Sequence, residues 1–193
     1  MSDELKKKGV LEAYDALLSS DPIRTKVITA ALIGASSDVI SAKLCGLKAD
    51  PGTASRQAIV QGVVITPLVH TWFALMEKMF AGWSNSLTTS IVKSCVQLSV
   101  LEPFLQVAWM GSNGVLAGED MDTIWATIRG NFWNNWSMAW RVWGPAAIIN
   151  YKLIPVRWRT VFGNVVGFLW TIWLIVSSRK KKKEVVKEAD KVD

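Results

Sequence analysis

Long stretches without charged residues alternate with short, strongly charged segments along this chain. One stretch, 57–76, has 20 residues without Asp, Glu, Lys or Arg, and another, 160–178, has 19 before the basic run 179–183. About 20 apolar residues at 1.5 Å each match a hydrocarbon core of about 30 Å, where a helix satisfies its own backbone groups. The pattern therefore predicts a helical membrane protein, and the central helices of a soluble all-α core are the alternative.

The hydrophobic pattern predicts four membrane-spanning segments preceded by a short helix. An N-terminal amphipathic helix covers 5–20 and ends at Asp21-Pro22. The spans are predicted at about 25–44, 55–80, 87–110 and 160–178. The fold class is therefore all-α, a polytopic transmembrane bundle of about four helices.

The region before the last span is rich in tryptophan. Residues 111–122 read as an acidic loop, after which apolar side chains recur in steps of three and four: Trp125, Ile128, Phe132, Trp136, Trp140 and Trp143. Asn131, Asn134 and Asn135 occupy the opposite side, a pattern typical of an amphipathic helix at the membrane interface. A separate apolar segment, 142–151, is expected to enter the membrane before Pro155 interrupts it.

Charge is concentrated at the two ends of the chain. The net charge is +6, and the tail 179–193 has seven basic and four acidic residues. We interpret 1–178 as one membrane-embedded domain and 179–193 as a charged soluble tail. Basic ends beside spans are expected to contact the bilayer and its anionic lipids. No nucleic-acid partner is predicted, because no aromatic or glycine-rich RNA-binding signature accompanies the lysines.

Motifs for catalysis or cofactor binding are missing from the sequence. There is no HExxH, no phosphate loop and no GxGxxG, and neither cysteine belongs to a cluster of zinc spacing. The single histidine cannot form a metal site unaided. We therefore predict that the protein is not an enzyme and carries no cofactor or metal.

Several polar residues fall in or near predicted spans, where their cost makes them functional candidates. They are Asp38, His70, Lys93, Gln97, Glu102 and Asn150. They could pair structurally, as Lys93 with Glu102, line an aqueous path, or snorkel to the interface. For His70, three residues after Pro67, we predict a bond to a carbonyl that the proline frees, with a proton switch as the alternative.

A series of short motifs runs through residues 11–178. It includes Pro67-x-x-His70-x-Trp72, then the spaced Lys93, Gln97 and Pro103, and finally Trp143, Asn150, Pro155, Arg159 and Trp170. In order and spacing this series resembles the Mpv17/PMP22 family of organellar integral membrane proteins. The resemblance implies that Pro67, Trp72, Pro103, Trp143, Pro155, Arg159 and Trp170 hold packing and turn positions.

The family resemblance also implies a function. It implies a small, weakly selective channel for ions or metabolites, lined by the polar candidates above, and acting as a homo-oligomer or within a membrane-protein complex. We expect the mitochondrial inner membrane, with the peroxisomal membrane as the alternative. Thr66, Val96 and Ala147 depart from the family pattern and remove polar or turn residues. These departures favour a second hypothesis, a non-catalytic accessory subunit of a mitochondrial respiratory complex or ATP synthase.

Overall fold

The computed structural model describes residues 9–84, 86–153, 162, 165–170, 172–173 and 175–177. Over these residues the chain is helical with short turns and contains no strand, which confirms the all-α fold class. The two charged ends, 1–8 and 179–193, and the motif residues Pro155 and Arg159 lie outside the described part. The predicted division between domain and tail is therefore not tested.

The described helices comprise one short N-terminal helix, four long helices and one shorter apolar helix. They are α1 (Val10–Ser20), α2 (Pro22–Leu44), α3 (Pro51–Ile59, Val60–Ile65 and Thr66–Met79), α4 (Leu87–Val96, Gln97–Leu101 and Glu102–Leu116), α5 (Met121–Leu153) and α6 (Val165–Ser177). By length and composition, α2, α3 and α4 can cross a membrane. A helical membrane bundle is therefore the architecture.

Side-chain caps fix where the long helices begin. Asp21 accepts a hydrogen bond from the amide of Arg24, Ser86 caps α4, and the Asp120 carboxylate accepts from the amide of Thr123 in the first turn of α5. Asp50 caps α3 and is followed by Pro51, whose missing N–H costs nothing in the first helical turn. The predicted span began at residue 55, so α3 is longer than predicted because this Asp-Pro start was read as a loop.

Helices α3 and α4 each contain a π-helical turn that ends two residues before a proline. The turns cover Val60–Ile65 and Gln97–Leu101, and the prolines are Pro67 and Pro103. A proline inside a helix has no N–H to donate and its ring crowds the carbonyl of the preceding turn. A π turn widens the helix at that point and keeps it continuous.

Two glycines allow α2 and α3 to pack at close range. A Cβ built on Gly34 would lie 2.6 Å from the carbonyl oxygen of Gln57, and one on Gly62 would lie 3.1 Å from the carbonyl oxygen of Val27. Small residues at such points let helix backbones approach in a membrane, where packing and interhelical bonds drive association. The α2–α3 contact therefore depends on the missing side chains at these positions.

The structure corrects the prediction for residues 111–153. The predicted acidic loop is mostly helical, since α4 continues to Leu116 and only a short turn separates it from Met121. The Trp-rich helix and the apolar segment 142–151 form one helix, α5, of 33 residues, with Pro145 inside it. At 1.5 Å per residue, α5 is about 50 Å long. Pro145 has no N–H to donate to the helix, yet α5 continues past it to Leu153.

Helix α5 packs antiparallel along α4. A Cβ on Gly114 would lie 2.5 Å from Cγ1 of Ile124, and the indole Nε1 of Trp136 donates a 2.8 Å hydrogen bond to the carbonyl of Leu98. The buried face of α5 includes Ile124, Ile128, Asn135 and Ala139. Asn135 was predicted on the polar side, and Trp125 on the apolar stripe is exposed. The packed face is therefore rotated from the predicted one.

Candidate functional site

The short turns between the long helices lie at two opposite ends of the bundle. The turns at 45–50 and 117–120 lie together, because Gln57 near the start of α3 contacts Asn113 near the end of α4. We call this the 45–50 end. The turn at 80–86, which joins α3 to α4, marks the opposite end, called the 80–86 end.

Asp38 is buried between α2 and α3 toward the 45–50 end. Its side chain is only 1% exposed, and the hydroxyl of Thr53 donates a 2.9 Å hydrogen bond to its Oδ2. Ser37 and Ser41, on either side of it, are also fully buried. A carboxyl group inside a membrane bundle is costly, so this one faces protein groups and not lipid.

A side-chain amide pair joins α3 to α4 one turn further in. Gln57 follows Thr53 by four residues, and its Nε2 donates a 2.6 Å hydrogen bond to Oδ1 of Asn113. The Nδ2 of Asn113 in turn donates to the carbonyl of Trp109 at 2.9 Å. One hydrogen bond therefore joins α2 to α3 at Asp38, and a second joins α3 to α4 at Gln57.

The polar contacts end near the middle of α4. Glu102 is the sixteenth of its 30 residues, is buried, and accepts a 3.3 Å hydrogen bond from Nε2 of Gln106. Glu102, Gln106, Trp109 and Asn113 follow one another in steps of four, three and four, so they share one helix face. We name the whole set the polar seam; its members are Asp38, Thr53, Gln57, Asn113, Trp109, Gln106 and Glu102.

Three groups of the polar seam are buried without a partner among the residues that the structure describes. They are Oε1 of Gln57, Oε1 of Gln106 and Nε1 of Trp109, on side chains that are 6%, 3% and 8% exposed. Leaving such a group unpaired costs about 1–3 kcal/mol. The seam therefore holds more hydrogen-bonding capacity than its own side chains satisfy.

The other predicted polar residues lie outside the polar seam. Nζ of Lys26 is 3.5 Å from Nδ1 of His70, and Lys93 lies over the ring of Phe80, 5.5 Å from its centroid. Gln97 opens the π turn of α4, where its carbonyl accepts from the amide of Glu102. The backbone of Asn150 belongs to α5, but its side chain is outside the described part.

Two pairings considered from the sequence are replaced by other contacts. Within the described residues Glu102 bonds Gln106 and forms no ion pair with Lys93, which is nine residues away on the same helix. His70 contacts Lys26 and takes no freed carbonyl near Pro67 among the described bonds. The hydroxyl of Thr66 bonds a carbonyl there, that of Gln61, at 2.7 Å.

The described family-motif residues occupy packed or helix-shaping positions. Pro67 and Pro103 follow the two π turns, and the ring of Trp143 packs against the hydrophobic core. Trp170 is buried and stacks on Trp173 with ring centroids 4.9 Å apart. Trp72 lies in α3 with a buried indole N–H that has no partner among the described residues.

Sequence reasoning missed most members of the polar seam. Thr53 and Asn113 fell in predicted loops, and Gln57, Gln106 and Trp109 were not among the polar candidates. The four-three-four spacing from Glu102 to Asn113 could have indicated a polar face. That signal required α4 to extend past residue 110, which the predicted loop at 111–122 concealed.

The two turns of the 45–50 end carry three acidic residues and one basic residue: Asp50, Glu119 and Asp120, with Lys48. The backbone N–H of Thr53 donates to the Asp50 carboxylate and holds its pKa below the usual range. The amide of Thr123 lowers the pKa of Asp120 in the same way. Among the described residues, no group of three His, Cys, Asp or Glu is placed to hold a metal ion.

Comparison with known proteins gives a consistent set of relatives. Residues 114–174 match the model of the Mpv17 / PMP22 family. "PXMP2/4 family protein 3" of Dictyostelium discoideum is 30% identical over 88% of this chain and 91% of its own length. "Peroxisomal membrane protein PMP22" of Arabidopsis thaliana is 29% identical over 90% and 92%. "Mitochondrial inner membrane protein Mpv17" of Caenorhabditis briggsae is 22% identical over 86% and 91%. No solved structure matches the chain.

Proposed function

The chain belongs to the Mpv17 / PMP22 family of organellar membrane proteins, and from this premise we propose that it forms a small, weakly selective channel for ions or metabolites. The proposal includes no catalytic step. The observation that carries it is the polar seam, which places two carboxyl groups between bilayer-length helices. Intramembrane ionisable residues that face a bundle interior mark ion and substrate pathways.

The charge of the polar seam favours cations over anions. Asp38 and Glu102 are its two ionisable members, and the two turns of the adjoining 45–50 end carry three acidic residues against one basic residue. Acidic side chains in a pore select for cations, whereas basic ones select for anions. Lys26 and Lys93 lie toward the other end of the bundle, beside His70 and Phe80.

Single-channel recording in planar bilayers tests this proposal. The purified protein would be compared with Asp38→Asn and Glu102→Gln, each of which removes one acid from the seam. Glu12→Gln is the matched control, because Glu12 is exposed on α1 and the same charge is removed away from the seam. We expect both seam variants to lose cation preference or conductance and the control to behave as the unmodified protein.

Two results would argue against the channel. A purified, folded protein without conductance in planar bilayers would remove the proposal altogether. Conductance that is identical in Asp38→Asn, Glu102→Gln and the control would leave a channel but remove these two residues from its path.

An accessory role in a larger assembly is the second candidate, and the surface of α5 favours it. Trp133 is 68% exposed and contacts Phe132 and Trp136 in an aromatic cluster. Exposed aromatic side chains on a helix suit a protein interface as well as a lipid one. Native electrophoresis of a mild-detergent extract distinguishes the two roles. Comigration with a respiratory complex or ATP synthase supports the accessory role, and a free homo-oligomer supports the channel.

We propose the mitochondrial inner membrane or the peroxisomal membrane as the location. Relatives with each kind of name cover most of the chain, at 29% identity for the peroxisomal protein of Arabidopsis thaliana and 22% for the mitochondrial protein of Caenorhabditis briggsae. Because the identity to this peroxisomal relative is the higher of the two, the comparisons support the peroxisomal membrane at least as well as the mitochondrial inner membrane. Separating the two organelles by density gradient and blotting each fraction for the protein decides between them.

A further inference from the structure

The polar seam reaches only half-way through the bundle. It starts with Asp38 and Thr53 near the 45–50 end and ends at Glu102, near the middle of α4. Beyond Glu102 the next buried side chains of α4 are Leu101 and Leu98, at 5% and 3% exposure. Apolar side chains thus follow the polar seam directly beyond Glu102, and buried polar residues of α4 recur only at Ser90 and Thr89 near the 80–86 end.

The region beyond Glu102 is closed from α5 as well. From α5 the ring of Trp136 reaches the carbonyl of Leu98. Asn135, beside Trp136, is the buried polar exception at this level. We call Leu98, Leu101 and the ring of Trp136 the apolar plug.

The buried unpaired groups of the polar seam could be satisfied by small molecules that donate and accept hydrogen bonds. Oε1 of Gln57 and Oε1 of Gln106 are acceptors, and Nε1 of Trp109 is a donor, all on side chains more than nine-tenths buried. Buried polar groups in native proteins are hydrogen-bonded to protein or to ordered water. Water supplies both donors and acceptors and is small enough to follow a helix face between amide side chains.

We propose that the polar seam is a water-filled half-channel, open at the 45–50 end and closed beside Glu102 by the apolar plug. Water then satisfies the amide and indole groups and brings Glu102 into contact with the aqueous phase on one side only. The inference deepens the proposed channel and rests on it for the role of a permeation route. A half-channel of this kind would conduct only when the apolar plug becomes hydrated, which is how hydrophobic constrictions gate pores.

Cysteine accessibility tests the half-channel in the full chain. In a Cys45→Ser, Cys95→Ala background, Gln57→Cys and Gln106→Cys place thiols in the polar seam. Thiolate, and not thiol, reacts with membrane-impermeant methanethiosulfonates, so a thiol in water reacts and one in hydrocarbon does not. Each variant would be folded into proteoliposomes and treated with the reagent from one side at a time.

Matched controls lie two residues from each seam position. Ile59→Cys and Phe104→Cys place thiols at similar depths on α3 and α4, but their side chains are 46% and 57% exposed on the outer surface. Ala117→Cys reports which membrane side the 45–50 end faces, because Ala117 lies in the exposed turn at that end.

We expect the two seam thiols to react from the same side as Ala117→Cys, at least about tenfold faster than the outer controls. Little reaction is expected from the opposite side. Reaction no faster than at the outer controls, or equal reaction from both sides, would overturn the half-channel. A circular dichroism spectrum equal to that of the background protein shows that each variant folds.

Conductance of the same preparations separates this inference from the proposed function. A conducting protein with unreactive seam thiols keeps the channel and refutes the half-channel. Reactive seam thiols in a protein that never conducts refute the channel and keep the hydrated seam.

Discussion

Replacing Gly34 by alanine should separate α2 from α3. A Cβ at this position would lie 2.6 Å from the carbonyl oxygen of Gln57 and 2.9 Å from Cγ of Gln61. Carbon and carbonyl oxygen of neighbouring helices normally approach to about 3.3 Å, so the two backbones must move apart by about 0.7 Å. The carbonyl belongs to the main chain of α3 and cannot turn away as a side chain could.

The size of the effect follows from overpacking. Added methyl groups in a packed interior cost about 1–3 kcal/mol. We expect Gly34→Ala to lower the stability of the bundle by about 1–2 kcal/mol, because alanine regains part of the cost through its higher helix propensity. The 2.6 Å hydrogen bond from Gln57 to Asn113 should also weaken, since Gln57 moves with α3.

Unfolding by sodium dodecyl sulfate in mixed micelles, followed by circular dichroism, measures this loss. Gly111→Ala is the matched control, because a Cβ at Gly111 meets nothing within 4 Å and has the same intrinsic effect on a helix. The control should unfold at or above the midpoint of the unmodified protein and Gly34→Ala below it. Equal midpoints for the two variants would refute the close α2–α3 contact.

Two further predictions concern a buried bond and an exposed cap. Trp136→Phe should destabilise the protein by about 1–3 kcal/mol in the same unfolding assay, because the carbonyl of Leu98 loses its donor, whereas Trp133→Phe on the exposed surface should not. The lowered pKa of Asp50 means that its charge stabilises the folded state above the unfolded value of about 3.9, and that this stabilisation is lost as pH falls through the folded pKa. The unfolding midpoint of the unmodified protein should therefore exceed that of Asp50→Asn at pH 7, and the difference should shrink by pH 3; a difference independent of pH would contradict the assignment.

The sequence predicted the helices better than their ends. Apolar stretches of bilayer length located α2, α3 and α4, because hydrophobic length is a strong signal. The predicted helix ends were wrong where residues typical of turns are helical: Pro51 begins α3, and Gly111 lies inside α4. Glycine and proline usually mark turns, but a capped first turn and a packed membrane helix tolerate them.

The candidate site was predicted only in part. The cost of a buried charge singled out Asp38 and Glu102, and the structure places both in the polar seam. Partners could not be predicted, because they come from other helices: Thr53 for Asp38, and Asn113 for Gln57. Uncharged amides give no strong sequence signal, since glutamine is also common on ordinary surfaces.

The two π turns show a repeated arrangement that the sequence also carries. Gln61 and Gln97 each precede a proline by six residues, and the carbonyl of each accepts the amide that lies directly before the proline. No internal repeat had been predicted, because only a few positions of α3 and α4 are shared. In both helices, therefore, a π turn accommodates a proline at a similar position.

Pro103 leaves the Leu98 carbonyl without a helical donor, and this links the π turn to the closure of the bundle. The amide of Glu102 donates to the carbonyl of Gln97, and Pro103 has no N–H to donate. The buried carbonyl of Leu98 therefore needs a hydrogen-bond donor from outside α4. Trp136 supplies it with an indole whose ring remains apolar. A charged donor would bring water with it, whereas this one ties α5 to α4 and keeps the region beside Glu102 dry. The proline that widens α4 therefore also determines where the aqueous half of the polar seam can end.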